Sequence, residues 1–234
     1  MQEIDQPKKT KKWWETAPKH LKFNKKRINR RSTEIYHFLL PDNGMASSGT
    51  IKLLKQNYPE KAKHIADWKK DFCKPISPDE LLLLQHICTD IDDLLENHYV
   101  DQQKVNNLTS NELQLFGQTT VALDLYSYEE KEQQIAKRQH KTRAYFKLKS
   151  IMDYWCSLWF WTIQDSAHLP TRQQWYEDIK ELIAVQDIQD QARLQRLQLL
   201  QQYAQKHRFF HYQLEFIEVF KERGGFDIAV GNPP

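Results

Sequence analysis

The sequence predicts a mainly α protein, and three observations carry that prediction. Apolar residues recur at three- and four-residue steps from about residue 50 to about residue 207, the spacing that lines one face of a helix. Six glycines among 234 residues suit long helices with few tight turns. A single strand pattern occurs, Phe226-Asp227-Ile228-Ala229-Val230, set between Gly224-Gly225 and Gly231.

Composition narrows the class. At 40% hydrophobic and 28% charged residues, the chain can bury a core of good size. Its longest apolar stretch, IMDYWCSLWFWTI from Ile151 to Ile163, contains Asp153. It falls short of the roughly 20 residues that cross a bilayer, so a buried helix and no membrane partner are expected. The first residues lack the apolar core and small-residue cleavage site of a secretory signal. Cys73, Cys88 and Cys156 form no C-x-x-C pair, which argues against a disulfide framework or a cysteine zinc site and for a reducing cytoplasm.

Three regions follow from charge and pattern: a basic segment over 1–35, a helical region over 36–220, and a strand and loop over 221–234. The basic segment holds 11 of the 34 Lys and Arg residues but four of the 31 Asp and Glu residues, leaving 23 bases against 27 acids elsewhere. Lys8, Lys9, Lys11, Lys12, Lys25, Lys26, Arg27, Arg30 and Arg31 are interleaved there with Trp13, Trp14, His20 and Phe23. Such a mixture can grip phosphates and stack on bases. It can equally be a connecting segment whose aromatics dock on the neighbouring domain.

Within the helical region, Ser77, Pro78 and Glu80 form a capping box with proline at the first helical position. Leu81, Leu84, Ile87, Cys88, Ile91, Leu94 and Leu95 then make one buried stripe. A second helix is expected between about Tyr128 and Trp161, with Leu148, Ile151, Met152, Trp155, Leu158 and Trp159 as core anchors. Thr171 and Gln174 form another capping box, ahead of Trp175, Ile179, Leu182 and Ile183. The glutamine-rich run that follows places Leu194, Leu197, Leu200 and Ala204 on one stripe.

The apolar run at 226–230 reads as a strand buried on both faces of a parallel sheet. One strand makes no sheet, so its neighbours lie in other polypeptide or the segment stays unpaired. In such sheets ligands bind beyond the carboxyl ends of the strands, where Gly231-Asn232-Pro233-Pro234 would stand. Gly231 lets the backbone turn. The prolines remove two donors and leave rigid carbonyl acceptors beside the Asn232 side chain. Two acceptors suit a substrate amine: they favour the tetrahedral nitrogen with a localised lone pair that attacks a methyl sulfonium.

These residues bear a resemblance. FDIAVGNPP resembles motif IV of the amino-group DNA methyltransferases, in which Asp, Asn or Ser followed by Pro-Pro precedes an aromatic residue that stacks on the flipped base. Asparagine in the first position is like the adenine N6 class. RFFHYQLEFIEVFKERGGFDIAVGNPP is similar to the lead-in of type IIG restriction-modification fusion enzymes and methylases of phage-defence islands. Their pattern Phe-His-Trp-x-x-Glu-Phe-Pro-Glu-Val-Phe here has Tyr212 in place of Trp and Ile217 in place of Pro. YHFLLPDNGMA and IMDYWCSLWFW also resemble pieces of that lineage.

The resemblance implies a strand that belongs to a Rossmann-like methyltransferase sheet not contained in this chain, S-adenosylmethionine as cofactor, and double-stranded DNA as partner. It implies catalytic roles for Asn232, Pro233 and Pro234, with Asn232 and Pro233 holding the substrate amine. The chain has no Gly-x-Gly loop and ends before the aromatic position. The expectation is a slice of a longer methyltransferase, inactive alone, whose partner is the remainder of the parent. The competing expectation is a non-enzymatic helical module that binds nucleic acid or a partner through its basic segment.

Other constellations are weaker. His207 and His211 lie four apart without a completing ligand, and His86 and Cys88 do no better. Glu215 and Glu218 could act as an acid/base pair, or pair with Lys221 and Arg223.

Overall fold

A computed structural model describes residues 2–3, 17–21, 23–24, 27–109, 143–184 and 190–231. The protein is mainly helical, as its periodicity predicts: α1 (Lys52–Asn57), α2 (Pro59–Phe72), α3 (Pro78–Thr109), α4 (Arg143–Phe160), α5 (Arg172–Ala184), α6 (Gln191–His207), α7 (Tyr212–Glu215) and α8 (Ile217–Arg223). Both capping boxes form. The Ser77 amide donates to the Glu80 carboxylate at 2.8 Å, and the Glu80 amide to Ser77 Oγ at 3.2 Å. The Thr171 amide donates to Gln174 Oε1 at 2.9 Å, with the return bond to Thr171 Oγ1 at 3.2 Å. Asp190 caps α6 by accepting from the amides of Ala192 and Arg193.

Helix α4 is the hub, packed against α3, α5, α6 and α7. Its inner stripe, Leu148, Ile151, Tyr154 and Leu158, is buried against Leu84, Ile87, Cys88 and Ile91 of α3 and Trp175, Tyr176 and Ile179 of α5 within one core. Ring contacts carry the core outward to α2: Trp68 stacks on Phe72 at 4.5 Å, and Phe72 lies tilted against Trp175 at 5.3 Å. Trp161 and Trp175 are fully buried, while Trp155 and Trp159 are half-buried against the core edge.

The segment 34–51 was not legible as structure from pattern. Ile35, Leu39 and Met45 are fully buried, and the loop beyond them caps the end of α4. The Ala46 amide donates to the Leu158 carbonyl at 2.7 Å, and Ser48 Oγ to the Trp161 carbonyl at 2.9 Å. A Cβ at Gly44 would meet the Trp159 ring at 2.3 Å. Gly44→Ala is therefore expected to lower the unfolding free energy by about 1–3 kcal/mol, the usual cost of forced overpacking, measured by urea denaturation.

His37, in the 3-10 turn His37–Leu39, is wedged edge-on between Phe38 and Trp155. Burial pushes its pKa down from 6.5 to about 4. Below pH 6.5 the unfolded imidazole takes up a proton that the folded one refuses until about pH 4. The unfolded state thus binds more protons in that window, and stability falls as pH drops through it. A loss on the order of 3 kcal/mol is expected from this group, and urea unfolding at stepped pH should show it shrink in His37→Gln.

Short antiparallel ladders tie down parts of the amino-terminal region: β1 (Gln2–Glu3) pairs with β4 (Glu34–Ile35), and β2 (Phe23–Asn24) with β3 (Arg27–Ile28). At the other end, residues 226–231 form neither helix nor ladder. The side chains of Phe226, Ile228 and Val230 are 48%, 80% and 94% exposed. The double-sided burial that the strand pattern calls for is not supplied by the described residues.

Candidate functional site

In the stretch from the end of α6 to Gly231, His211, Glu215, Glu218 and Lys221 bond to the helical body, while Arg208, Arg223 and Asp227 are exposed. Arg208 ends α6 in the left-handed region at φ 50°, and the chain turns across α4. His211 Nε2 donates to Asp153 Oδ1 at 2.7 Å. Lys149 reaches both Asp153 oxygens at 2.9 Å and the Phe209 carbonyl at 3.4 Å. His98 Nε2 donates to the Leu214 carbonyl at 2.9 Å, and burial lowers the pKa of that imidazole. Tyr145 donates to Glu215 at 2.7 Å; burial first, and then this carboxylate, push its phenol pKa up.

Helix α8 is fastened in the same way along α3. Lys221 is buried, pairs with Glu96 and lies 3.9 Å above the Tyr99 ring. Glu218 accepts from Asn106, and Glu222 from Tyr99 at 3.0 Å. Glu96 also accepts the Ile28 amide at 3.3 Å, so the amino-terminal ladder is held by the same carboxylate. Beneath that ladder lies a cleft whose walls include Phe23, Ile28, Phe38, Leu95, Phe220 and Gly224.

Three aromatic residues of the stretch face away from the body, whereas Phe209 packs on Phe160 and His207 and Phe220 lines the cleft. Phe210, Tyr212 and Phe216 are 55%, 63% and 39% exposed. They touch one another in a row, and Phe216 continues edge-on to Phe226 at 5.1 Å. Gly224 at φ 80° and Gly225 at φ 156° then turn the chain out into 226–231.

The residues singled out by the sequence fall as follows. Asn232, Pro233 and Pro234 lie outside the described residues, as do Lys8, Lys9, Lys11, Lys12, Lys25 and Lys26. Arg27 contributes its main chain to β3. Arg31 is exposed, its amide donating to Glu34 at 3.0 Å. Arg30 does not present its charge to solvent: its guanidinium forks onto Asp92 at 2.7 and 3.0 Å and reaches the Glu34 carbonyl at 2.9 Å, with 6% of the side chain exposed.

Glu215 and Glu218 take Tyr145 and Asn106 as partners, while Lys221 and Arg223 pair with Glu96 and Asp227. Neither the acid/base pair nor the ion pairs read from spacing are formed. His207 stacks between Phe160 and Phe209, and His211 holds Asp153. The Asp153–His211 and Glu96–Lys221 pairs were missed by pattern reading, because their members lie far apart in sequence. Among the described residues, no helix is long and apolar enough to cross a membrane.

Residues 128–234 match the family model described as Eco57I restriction-modification methylase. No curated protein and no solved structure matches the chain. This portion of the chain is therefore similar to restriction-modification methylases, and the match takes in α4 to α8, the aromatic row and the sequence Asn232-Pro233-Pro234.

Proposed function

We propose that the chain is part of a DNA methyltransferase acting on the N6 amino group of adenine in double-stranded DNA, within a restriction-modification or phage-defence system, with S-adenosylmethionine as methyl donor. The observation that carries this reading is the family match, which runs through Gly231-Asn232-Pro233-Pro234. The target base leaves the helix to be reached. The Asn232 side-chain carbonyl and the Pro233 main-chain carbonyl accept the two amino hydrogens, which localises the nitrogen lone pair as the new N–C bond forms. Lys8, Lys9, Lys11, Lys12, Lys25, Lys26, Arg27 and Arg31 neutralise backbone phosphates.

The cleft beneath the amino-terminal ladder does not fit S-adenosylmethionine. The ammonium, sulfonium and ribose hydroxyls of that molecule call for carboxylates and carbonyls, whereas the lining side chains include no carboxylate and do include Lys221. In this reading the cofactor is held by polypeptide other than the described residues.

The test is tritiated methyl transfer to duplex DNA by residues 1–234 joined to the polypeptide encoded directly downstream. Transfer to adenine N6, lowered about a hundredfold or more by Asn232→Ala, is expected. No transfer, transfer to cytosine, or indifference to Asn232→Ala would sink the reading. Calorimetry with S-adenosylmethionine and residues 1–234 alone should show no heat of binding, and micromolar affinity there would contradict it.

A further inference from the structure

Arg30, Lys149, Arg172, Arg193, Arg196 and Lys221 each meet a carboxylate on the helical body. Helices α1 and α2 do not follow that rule. Lys52 and Lys55 on α1 and Lys63 and Lys70 on α2 are exposed, and none of them pairs with a carboxylate among the described residues. From Lys52 to Lys74 seven lysines stand against Glu60, Asp67 and Asp71, and Asp71 is taken by Lys74 at 2.6 Å. Helix α3 has the opposite balance, with seven acids against Lys104. Positive potential therefore gathers at the α1–α2 end of the body.

The placement on α2 is sided. Ala62, Ile65, Trp68 and Phe72 are buried, and the helical period puts Lys63 and Lys70 on the side opposite Ile65 and Phe72, two turns or about 10 Å apart. Exposed Pro59 and Ala66 and half-buried Lys69 lie to one side of that pair, and Glu60, Asp67 and Asp71 to the other. Lysines with small side chains between them let a polyanionic backbone come close, and the acids border that side of the helix. Lys52 stands in the first turn of α1 with no acid beside it, where a cation opposes the macrodipole. An anionic partner would offset that local cost.

We propose that Lys52, Lys55, Lys63 and Lys70 form a second DNA contact, which takes hold of duplex phosphates flanking the target base. This rests on the methyltransferase reading, in which duplex DNA is the substrate. Position assigns the contact to the flank. Arg172 ties the end of α2 to the start of α3 through the Phe72 carbonyl and Glu80, whereas α8 is held at Glu96, about 24 Å further along α3. A duplex reaching both ends would run about 7 base pairs between them.

The test is fluorescence anisotropy of a mixed-sequence duplex of about 30 base pairs, titrated with residues 1–234 at stepped salt. The variant Lys52→Gln/Lys55→Gln/Lys63→Gln/Lys70→Gln should make the slope of log affinity against log salt shallower by about 2–4, at about 0.9 for each phosphate no longer neutralised. The variant Lys52→Arg/Lys55→Arg/Lys63→Arg/Lys70→Arg should keep the parent slope. Both should keep the unfolding midpoint, since the four side chains are exposed and pair with no described carboxylate.

A slope that the glutamine variant leaves unchanged overturns the second contact and leaves the methyltransferase reading standing. Polyglutamate bound more tightly than the duplex, and lost in the same variant, assigns the face to an acidic protein and overturns the proposal. A slope lowered as expected, with no methyl transfer by the chain joined to its downstream polypeptide, overturns the methyltransferase reading and leaves the DNA contact.

Discussion

Asp178→Ala is expected to lower the unfolding free energy by about 3–5 kcal/mol, the range for removing one partner of a buried ion pair. Asp178 is completely buried on α5 and accepts four hydrogen bonds. Tyr154 Oη and Arg196 Nε reach one oxygen at 2.7 and 2.8 Å; Arg196 Nη2 and Arg193 Nε reach the other at 3.0 and 2.9 Å. Burial and the Asp178 charge push the Tyr154 phenol pKa well up, which keeps it a donor. Truncation leaves the Arg196 charge, itself buried, without its counter-ion. Replacing both groups, as Asp178→Leu with Arg196→Met, should recover much of the loss in urea denaturation. A single-variant cost below about 1 kcal/mol would show that this network does not hold α5 to α6.

Arg30→Ala should cost about 2–4 kcal/mol in the same measurement, because it leaves Asp92 with Tyr36 alone, whose hydroxyl donates to it at 2.6 Å, and no guanidinium opposite. The pair is partly open on the Asp92 side, where 23% of the side chain is exposed, so the lower half of the range is favoured. DNA affinity gives the contrasting readout. Arg30→Ala should leave the dependence of binding on salt unchanged, while Lys8, Lys9, Lys11 and Lys12 replaced by Gln should reduce that slope by about 0.9 for each phosphate no longer neutralised. A shallower slope in folded Arg30→Ala would return Arg30 to the nucleic-acid face.

The contrast between Arg30 and its neighbours shows what was legible in the sequence. Local signals are written locally: Ser77 with Glu80 and Thr171 with Gln174 each bond to a residue three positions away, and both boxes form as read. The stripe Leu84, Ile87, Ile91 and the anchors Ile151 and Leu158 follow from helical period alone. Arg30 looks like the other bases around it, and nothing nearby in sequence announces Asp92, 62 positions on. Asp178 likewise sits among polar residues of an ordinary amphipathic helix until α6 brings two arginines over it.

In the sequence Phe210, Tyr212 and Phe216 belong to the family-like lead-in, and their spacing does not say which way the rings face. They face outward while His211 just before α7, Glu215 on α7 and Lys221 on α8 find charged or phenolic partners on α3 and α4. Pattern identifies apolar residues; it does not say which polypeptide will cover them.

The fastening of residues 209–223 to two long helices has a mechanical consequence. With Asp153, Tyr145, His98 and Glu96 each gripping a different point of this short span, the span cannot pivot by itself. It is thereby placed against both helices up to the turn at Gly224 and Gly225, where the chain leaves the body. The point at which the chain departs from the helical body is thus set by side chains tens of residues upstream of it.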